Sequence, residues 1–380
     1  MSDNLLYMPV FRCRTEEKKV FLSRTFHGRV YPCIEIIKYS PQKPREFIAD
    51  PKKPDKKPKK PAEFQEVYLP MLKNIQAERV FVDLPVHLKQ PRNMKPEVLK
   101  FMKEVVEHRE VRTEFMLKLA SLSEKIIPVI STYFHIANEK NTIRLQEADL
   151  RKTFRTLAFR TFPHSFDRDF AQIQDVIQVG DYLIFDIDDA VIDIEDPDVF
   201  QPRLAALHEK VGCQIVIVRN IVSCSIKNNE MVHGALIEEI TNDVKDYKLL
   251  NGTSFGDYAG IKKDPITKGG GISPGFIFYD PTKSGYYGYR GNVHEIAGKK
   301  TGLLDDFERI IIPDVLKSAS VLRMRISRHP YITDRNLGWS IMQSIELGRE
   351  SGKSQAKFKR ISMEHYIHCI ETDIAAGKFD

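Results

Sequence analysis

Apolar and polar positions along the chain fall into a repeated unit. A short apolar stretch closes in a charged or polar residue, and a segment with apolar positions at helical spacing follows. The apolar stretches are Tyr7–Phe11 (YMPVF) and residues 30–37 (VYPCIEII), 79–84 (RVFVDL), 126–132 (IIPVIST), 155–161 (RTLAFRT), 181–187 (DYLIFDI), 214–220 (QIVIVRN) and 253–261 (TSFGDYAGI). Between them lie helical patterns: EEKKVFLS, residues 63–74, residues 95–125 as one bent helix or two, LQEADLRKTF, SFDRDFAQIQDVI with Ser165 as N-cap, and a helix starting near Pro197. MVHGALIEEITNDV, residues 231–244, reads as the helix after the seventh strand.

Eight strands closing in Arg12, Glu35, Asp83, Thr132, Arg160, Asp186, Arg219 and Asp257 predict an α/β fold, a (β/α)8 TIM-like barrel. The connections have crossover rather than hairpin length, and the unbroken apolar runs of strands six and seven suit strands buried on both faces. The rival, an open doubly wound sheet, lacks a GxGxxG after its first strand. Further on, residues 268–280 and 284–292 form a hairpin around Pro281-Thr282-Lys283, predicted to lie in a loop (262–302) over the barrel mouth as a lid. Residues 303–325 supply a closing helix, so the barrel spans 1–330 and 331–380 is a helical extension holding Trp339 in core or interface.

Composition alters this picture in one place. The 380-residue chain carries a net charge of +6, and most of it sits in an insertion at 41–62 that includes PKKPDKKPKKP. That segment cannot build a core; it is either a solvated insertion or a basic flap that gathers an anionic ligand or a nucleic-acid backbone. The five cysteines, Cys13, Cys33, Cys213, Cys224 and Cys369, show no CxxC spacing and read as free thiols of a reducing compartment. With no signal-peptide pattern and no bilayer-length apolar run, the expectation is a soluble cytoplasmic protein with no membrane partner.

In a barrel the carboxyl ends of the strands build the active site, so the strand-end charges are the candidate chemistry. Asp186 and Asp188 share one strand face, with Tyr182 and Ile184 behind them, while Leu183, Phe185 and Ile187 make an apolar opposite face. Two such carboxylates either bind a divalent cation such as Mg2+, act as acid and base, or pair structurally with arginine. Glu35, Asp83, Asp186 and Asp257 are the candidate catalytic groups. Arg12, Arg14, Arg160 and Arg219 are candidate ligand-binding forks, and Arg290, with the hairpin tyrosines, is placed over the same mouth. GRESGKS at 348–354 has three residues between its glycines rather than four and follows a helical pattern, so it is not a phosphate loop. No HxH, HExxH or GxSxG occurs, and His365 and His368 share a helix without a carboxylate partner.

The opening YMPVFRCRTEEKKVFLS, the following RVYPCIEII, and the later GDYAG (256–260) and YYGYRG together resemble the beta-protein family of tailed phages and bacteria, over residues 7 to about 291. The resemblance implies a barrel-like fold and a setting of phage–host conflict. It also implies that Arg12, Arg14, Glu35, Asp257, Tyr258 and Arg290 contribute to a shared site, with Tyr258 a ligand-binding residue. The functional expectation is a barrel mouth that binds a phosphate-bearing anion such as a nucleotide and hydrolyses it. The alternative is a non-catalytic protein that recognises nucleic acid or a phage or host protein through the basic flap and helical extension.

Overall fold

The computed structural model describes residues 4–39, 62–85, 93–131, 139–188, 199–241, 244–263, 266, 273–296 and 299–380. Eight strands, all parallel, close a barrel: β1 (Tyr7–Phe11), β2 (Cys33–Glu35), β3 (Val80–Asp83), β4 (Ile126–Ile130), β5 (Ala158–Thr161), β6 (Tyr182–Asp188), β7 (Gln214–Arg219) and β9 (Ser254–Asp257). β9 pairs with both β7 and β1, which joins the last barrel strand to the first. Helices Thr15–Ser23, Phe64–Asn74, Thr142–Leu150, Phe166–Val176 and Gln201–Val211 run between strands, as a parallel sheet requires. The stretch predicted as one bent helix or two is two, Pro96–Glu107 and Arg109–Leu117, broken at an extended His108. Ser165 does precede a helix, but its hydroxyl bonds Phe162 O rather than capping the helix.

Strand alternation sorts side chains into two cores. Met8, Val10, Cys33, Phe81, Val129, Ala158, Ile184, Val216 and Val218 fill the inside of the barrel. Tyr7, Phe11, Ile34, Val82, Phe159, Leu183, Phe185, Ile217 and Phe255 face the surrounding helices. On the inner face of β9, Gly256 leaves no room for a side chain, because a Cβ there would lie 2.7 Å from Met8 O.

Three expectations need correction. The described residues 231–241 are not a helix: Ala235–Thr241 is β8, antiparallel to β11 (Gly285–Arg290). The open edge of the hairpin β10 (Gly275–Asp280) and β11 recruits this segment, and strand pairing overrides the local helical pattern. The closing helix is broken into a π-helical turn at Phe307–Ile311, then Ile312–Leu316 with Pro313 in its first turn, then Ala319–Ile326 started by the Ser318 cap. The hairpin itself is built into the core. Phe278 stacks on His365 at 4.5 Å and Tyr279 meets Tyr366 at 4.8 Å, both rings of the long helix Gln355–Ala375. A second, smaller pair, β12 (His294–Ile296) and β13 (Lys299–Thr301), follows it.

The Lys/Pro segment and Thr132, the predicted end of the fourth strand, lie outside the described residues. No helix among the described residues is long and apolar enough to cross a membrane.

Candidate functional site at the barrel mouth

Inward parity at the carboxyl ends of the strands brings Arg12, Glu35, Asp83, Arg160, Asp186 and Tyr258 together. Glu35 and Asp83 are register neighbours on β2 and β3, so two fully buried carboxylates stand side by side. Arg160, at 1% exposure, reaches across to hold them. Its Nη1 donates to Glu35 Oε1 (2.9 Å) and Asp83 Oδ2 (2.7 Å). Its Nε and Nη2 both donate to Asp186 Oδ2, and Nη2 also donates to the Tyr258 hydroxyl (3.0 Å). A guanidinium has five N–H groups, and these five bonds use all of them. Arg160 is therefore a strut that positions three carboxylates, not an open fork for a ligand.

Around this centre, Arg12 Nε donates to Glu35 Oε2 (3.4 Å) and the Arg12 guanidinium stands 5.4 Å from the Tyr258 ring centre. Lys263 stands 4.7 Å from the same ring and bonds Asp188 Oδ1 at 3.0 Å. Lys263 carries no sequence motif, and only its position three residues beyond GDYAG, in a loop at the mouth, could have singled it out. Burial works against its charge, but the Tyr258 oxygen with Asp186, Asp188 and Glu35 outweighs this and holds its pKa above the ordinary lysine range. Four carboxylates thus face three cations.

The excess negative charge falls on Asp83. Burial, aided by Glu35 and Asp186 and opposed by Arg160, lifts its pKa to about 6. Its Oδ2 is held by Arg160, while Oδ1 is buried without a hydrogen-bond partner among the described residues. A buried acceptor in that state is rare and invites a donor from a bound molecule or water.

The divalent-cation reading of Asp186 and Asp188 fits poorly. Asp186 Oδ2 is on Arg160 and its Oδ1 accepts Asp188 N–H (3.0 Å), while Asp188, at a β-bulge with φ +49°, turns to Lys263. Among the described residues no three His, Cys, Asp or Glu side chains group to hold a metal ion.

Other predicted residues are not at this centre. Asp257 lies on the outer face with Phe255 and accepts the hydroxyls of Tyr7 (2.9 Å) and Tyr366 (2.6 Å). Burial raises it to about 6, and these phenols pull the other way. Arg219 shares the outer parity of Ile215 and Ile217 and sits in register with Asp257. Arg14 is only half-buried and lies 4.0 Å from Glu17, whose carboxylate accepts Arg12 N–H. Arg290 holds Asn229 O (2.8 Å) in the loop before β8. His365, lowered to about 4 by burial, stays neutral between the Asn336 amide and Tyr279 O (2.8 Å each). The GRESGKS loop wraps the protein's own Glu308, through Gly352 N–H (2.6 Å) and the Ser351 hydroxyl (3.1 Å).

Fold and site together define a (β/α)8-barrel protein with a charged, arginine-centred mouth. The chain belongs to the beta protein family, whose model matches residues 7–370. That match extends well past residue 291 and takes in most of the C-terminal helices. No significant match exists among curated proteins or solved structures.

Proposed function

We propose that the barrel mouth binds a small phosphate-bearing anion of the nucleotide class and hydrolyses it, with Asp83 as general base. Asp83 carries this reading. It is fully buried, fixed at one oxygen by Arg160, open at the other, and poised to exchange a proton near pH 6. Among the described residues the Lys263 ammonium donates to Asp188 alone, so it keeps N–H groups for an anionic oxygen beside the Tyr258 ring. Asp83 Oδ1 would take the proton of a water as the water oxygen bonds to phosphorus. The ester oxygen then leaves and recovers that proton. The setting we propose is phage–host conflict, which the family resemblance implies.

The test is a panel of nucleotides and sugar phosphates, with and without Mg2+, read by melting temperature and by phosphate release. Turnover should rise through pH 6 as Asp83 ionises, and D83N should abolish it while the folded protein persists. A panel in which nothing shifts the melting temperature and nothing turns over, or a D83N enzyme with the parent's rate, defeats this reading.

A further inference from the structure

A cavity of about 370 Å3 lies apart from the mouth, between the start of β10, the first turn of the Gln355–Ala375 helix and the loops at 224–229 and 260–262. Its size is in the range of small-molecule sites, roughly 300–1,000 Å3. One wall is apolar: Ile226, Ile261 and the edge-to-face pair Phe276 and Phe358, 5.1 Å between ring centres. The other chemistry is cationic. Among the described residues Lys227, Lys262 and Lys359 line it and no Asp or Glu does, although Lys227 also pairs with Glu230 at 2.8 Å. The positive end of a 21-residue helix adds to the same field.

The walls are fixed in advance. The Gln355 amide bonds Gly275 at both N–H (3.2 Å) and C=O (2.8 Å) and accepts Asn228 Nδ2 at 3.1 Å. A Cβ on Gly275 would stand 2.5 Å from Asn228 Cβ, so glycine is what lets strand and loop meet here. Lys262 donates to Ile226 O (2.8 Å) and Asn228 Oδ1 (3.3 Å). Its neighbour Lys263 points to the mouth instead, so one short segment serves two separate sites.

We propose that this cavity is a second ligand site, for a nucleoside monophosphate, with the ring against Phe276 and Phe358 and the phosphate among the three lysines. It does not depend on Asp83 or on the mouth.

Calorimetric titration of the full chain with AMP, GMP and UMP tests it, with adenosine and inorganic phosphate as half-ligands. K227E/K359E reverses two lysine charges, and D83N/K263M disables the mouth; circular dichroism checks both for folding. At least one nucleotide should bind D83N/K263M as it binds the parent. In K227E/K359E its affinity should fall at least about tenfold, the scale of one charge-assisted hydrogen bond. Adenosine and phosphate should each bind more weakly than the nucleotide. Undiminished binding in K227E/K359E overturns the site, as does loss of all nucleotide binding in D83N/K263M, which assigns binding to the mouth alone. Phosphate binding as tightly as the nucleotide overturns the nucleoside half.

Discussion

Burying Glu35, Asp83 and Asp186 together is unfavourable unless their oxygens meet positively charged donors, and Arg160 supplies five N–H groups from one planar head. A lysine could not bridge three carboxylates and a phenol in this geometry. The convergence of Glu35, Asp83, Arg160 and Asp186 was legible because each sits at the end of an apolar run. In β6 the two aspartates two apart also disclosed the strand's parity. Parity was illegible where it misled. In β7 both faces are apolar (Ile215 and Ile217 outward, Val216 and Val218 inward), so nothing marks Arg219 as outward. In β9 the inner face carries Gly256, and no hydrophobic contrast assigns Asp257 to the outside. That outward Asp257 leaves a pH signature. Its folded pKa of about 6 against an ordinary 3.8 means the folded state holds the proton more tightly than the unfolded one. Its ionisation therefore removes stability as pH rises from about 4 to 6, by roughly 3 kcal/mol in all. D257N, which cannot ionise, should gain on the parent across that window and keep a constant lead above it. Urea unfolding at pH 4.5, 5.5 and 7 measures the difference, and a gap that ignores pH would refute the buried, raised carboxyl.

At the scale of elements, the sequence gives strands and helices most clearly where one face is buried against one partner. It fails at β8, whose partner β11 is some 50 residues away and leaves no local trace. The GDYAG segment shows how much one short motif does. Gly256 yields to Met8, Asp257 anchors outward to Tyr7 and Tyr366, Tyr258 turns into the mouth, and Ala259 and Gly260 reverse the chain at positive φ (+52° and +73°). Gly260 is doubly constrained, because a Cβ would sit 2.3 Å from the Tyr366 ring. G260A combines a left-handed conformation unfavourable by roughly 1 kcal/mol with overpacking of about 1–3 kcal/mol. The expected loss is about 2–4 kcal/mol in denaturant unfolding. The strain should fall on the contact with the long helix, so amides around Tyr366 should exchange faster than those of β6. Equal stability, or slowed exchange there, would mean the helix is not locked to the barrel through this turn.

For the molecule as a whole, the C-terminal helices behave as part of the barrel's own structure rather than as an addition. The Gln355–Ala375 helix packs on both the first helix and β10, and Arg24 joins Glu364 (3.3 Å) and Glu371 (2.6 Å) across most of the chain length. Tyr366 reaches the last barrel strand at Asp257, and Arg29 pairs with Asp380 at 2.6 Å. The family match running to residue 370 agrees with this. The energetic weight is large. Phe358, Ile361, Met363, Tyr366, Ile367, Cys369, Ile370 and Ile374 are all buried. At about 1.5 kcal/mol or more for each large apolar side chain, removing the seven besides Cys369 loses on the order of 10 kcal/mol. Whole proteins of this kind have only about 5–15 kcal/mol of net stability. A chain ending at Lys353 should therefore lack a cooperative unfolding transition, although every barrel strand and every residue of the mouth is still present. It should also bind a dye that reports exposed apolar surface. Circular dichroism melting and dye fluorescence on that truncated chain measure both. A sharp transition with the parent's far-ultraviolet spectrum would show that the barrel closes without its last helix, and would make residues 331–380 a separable extension after all.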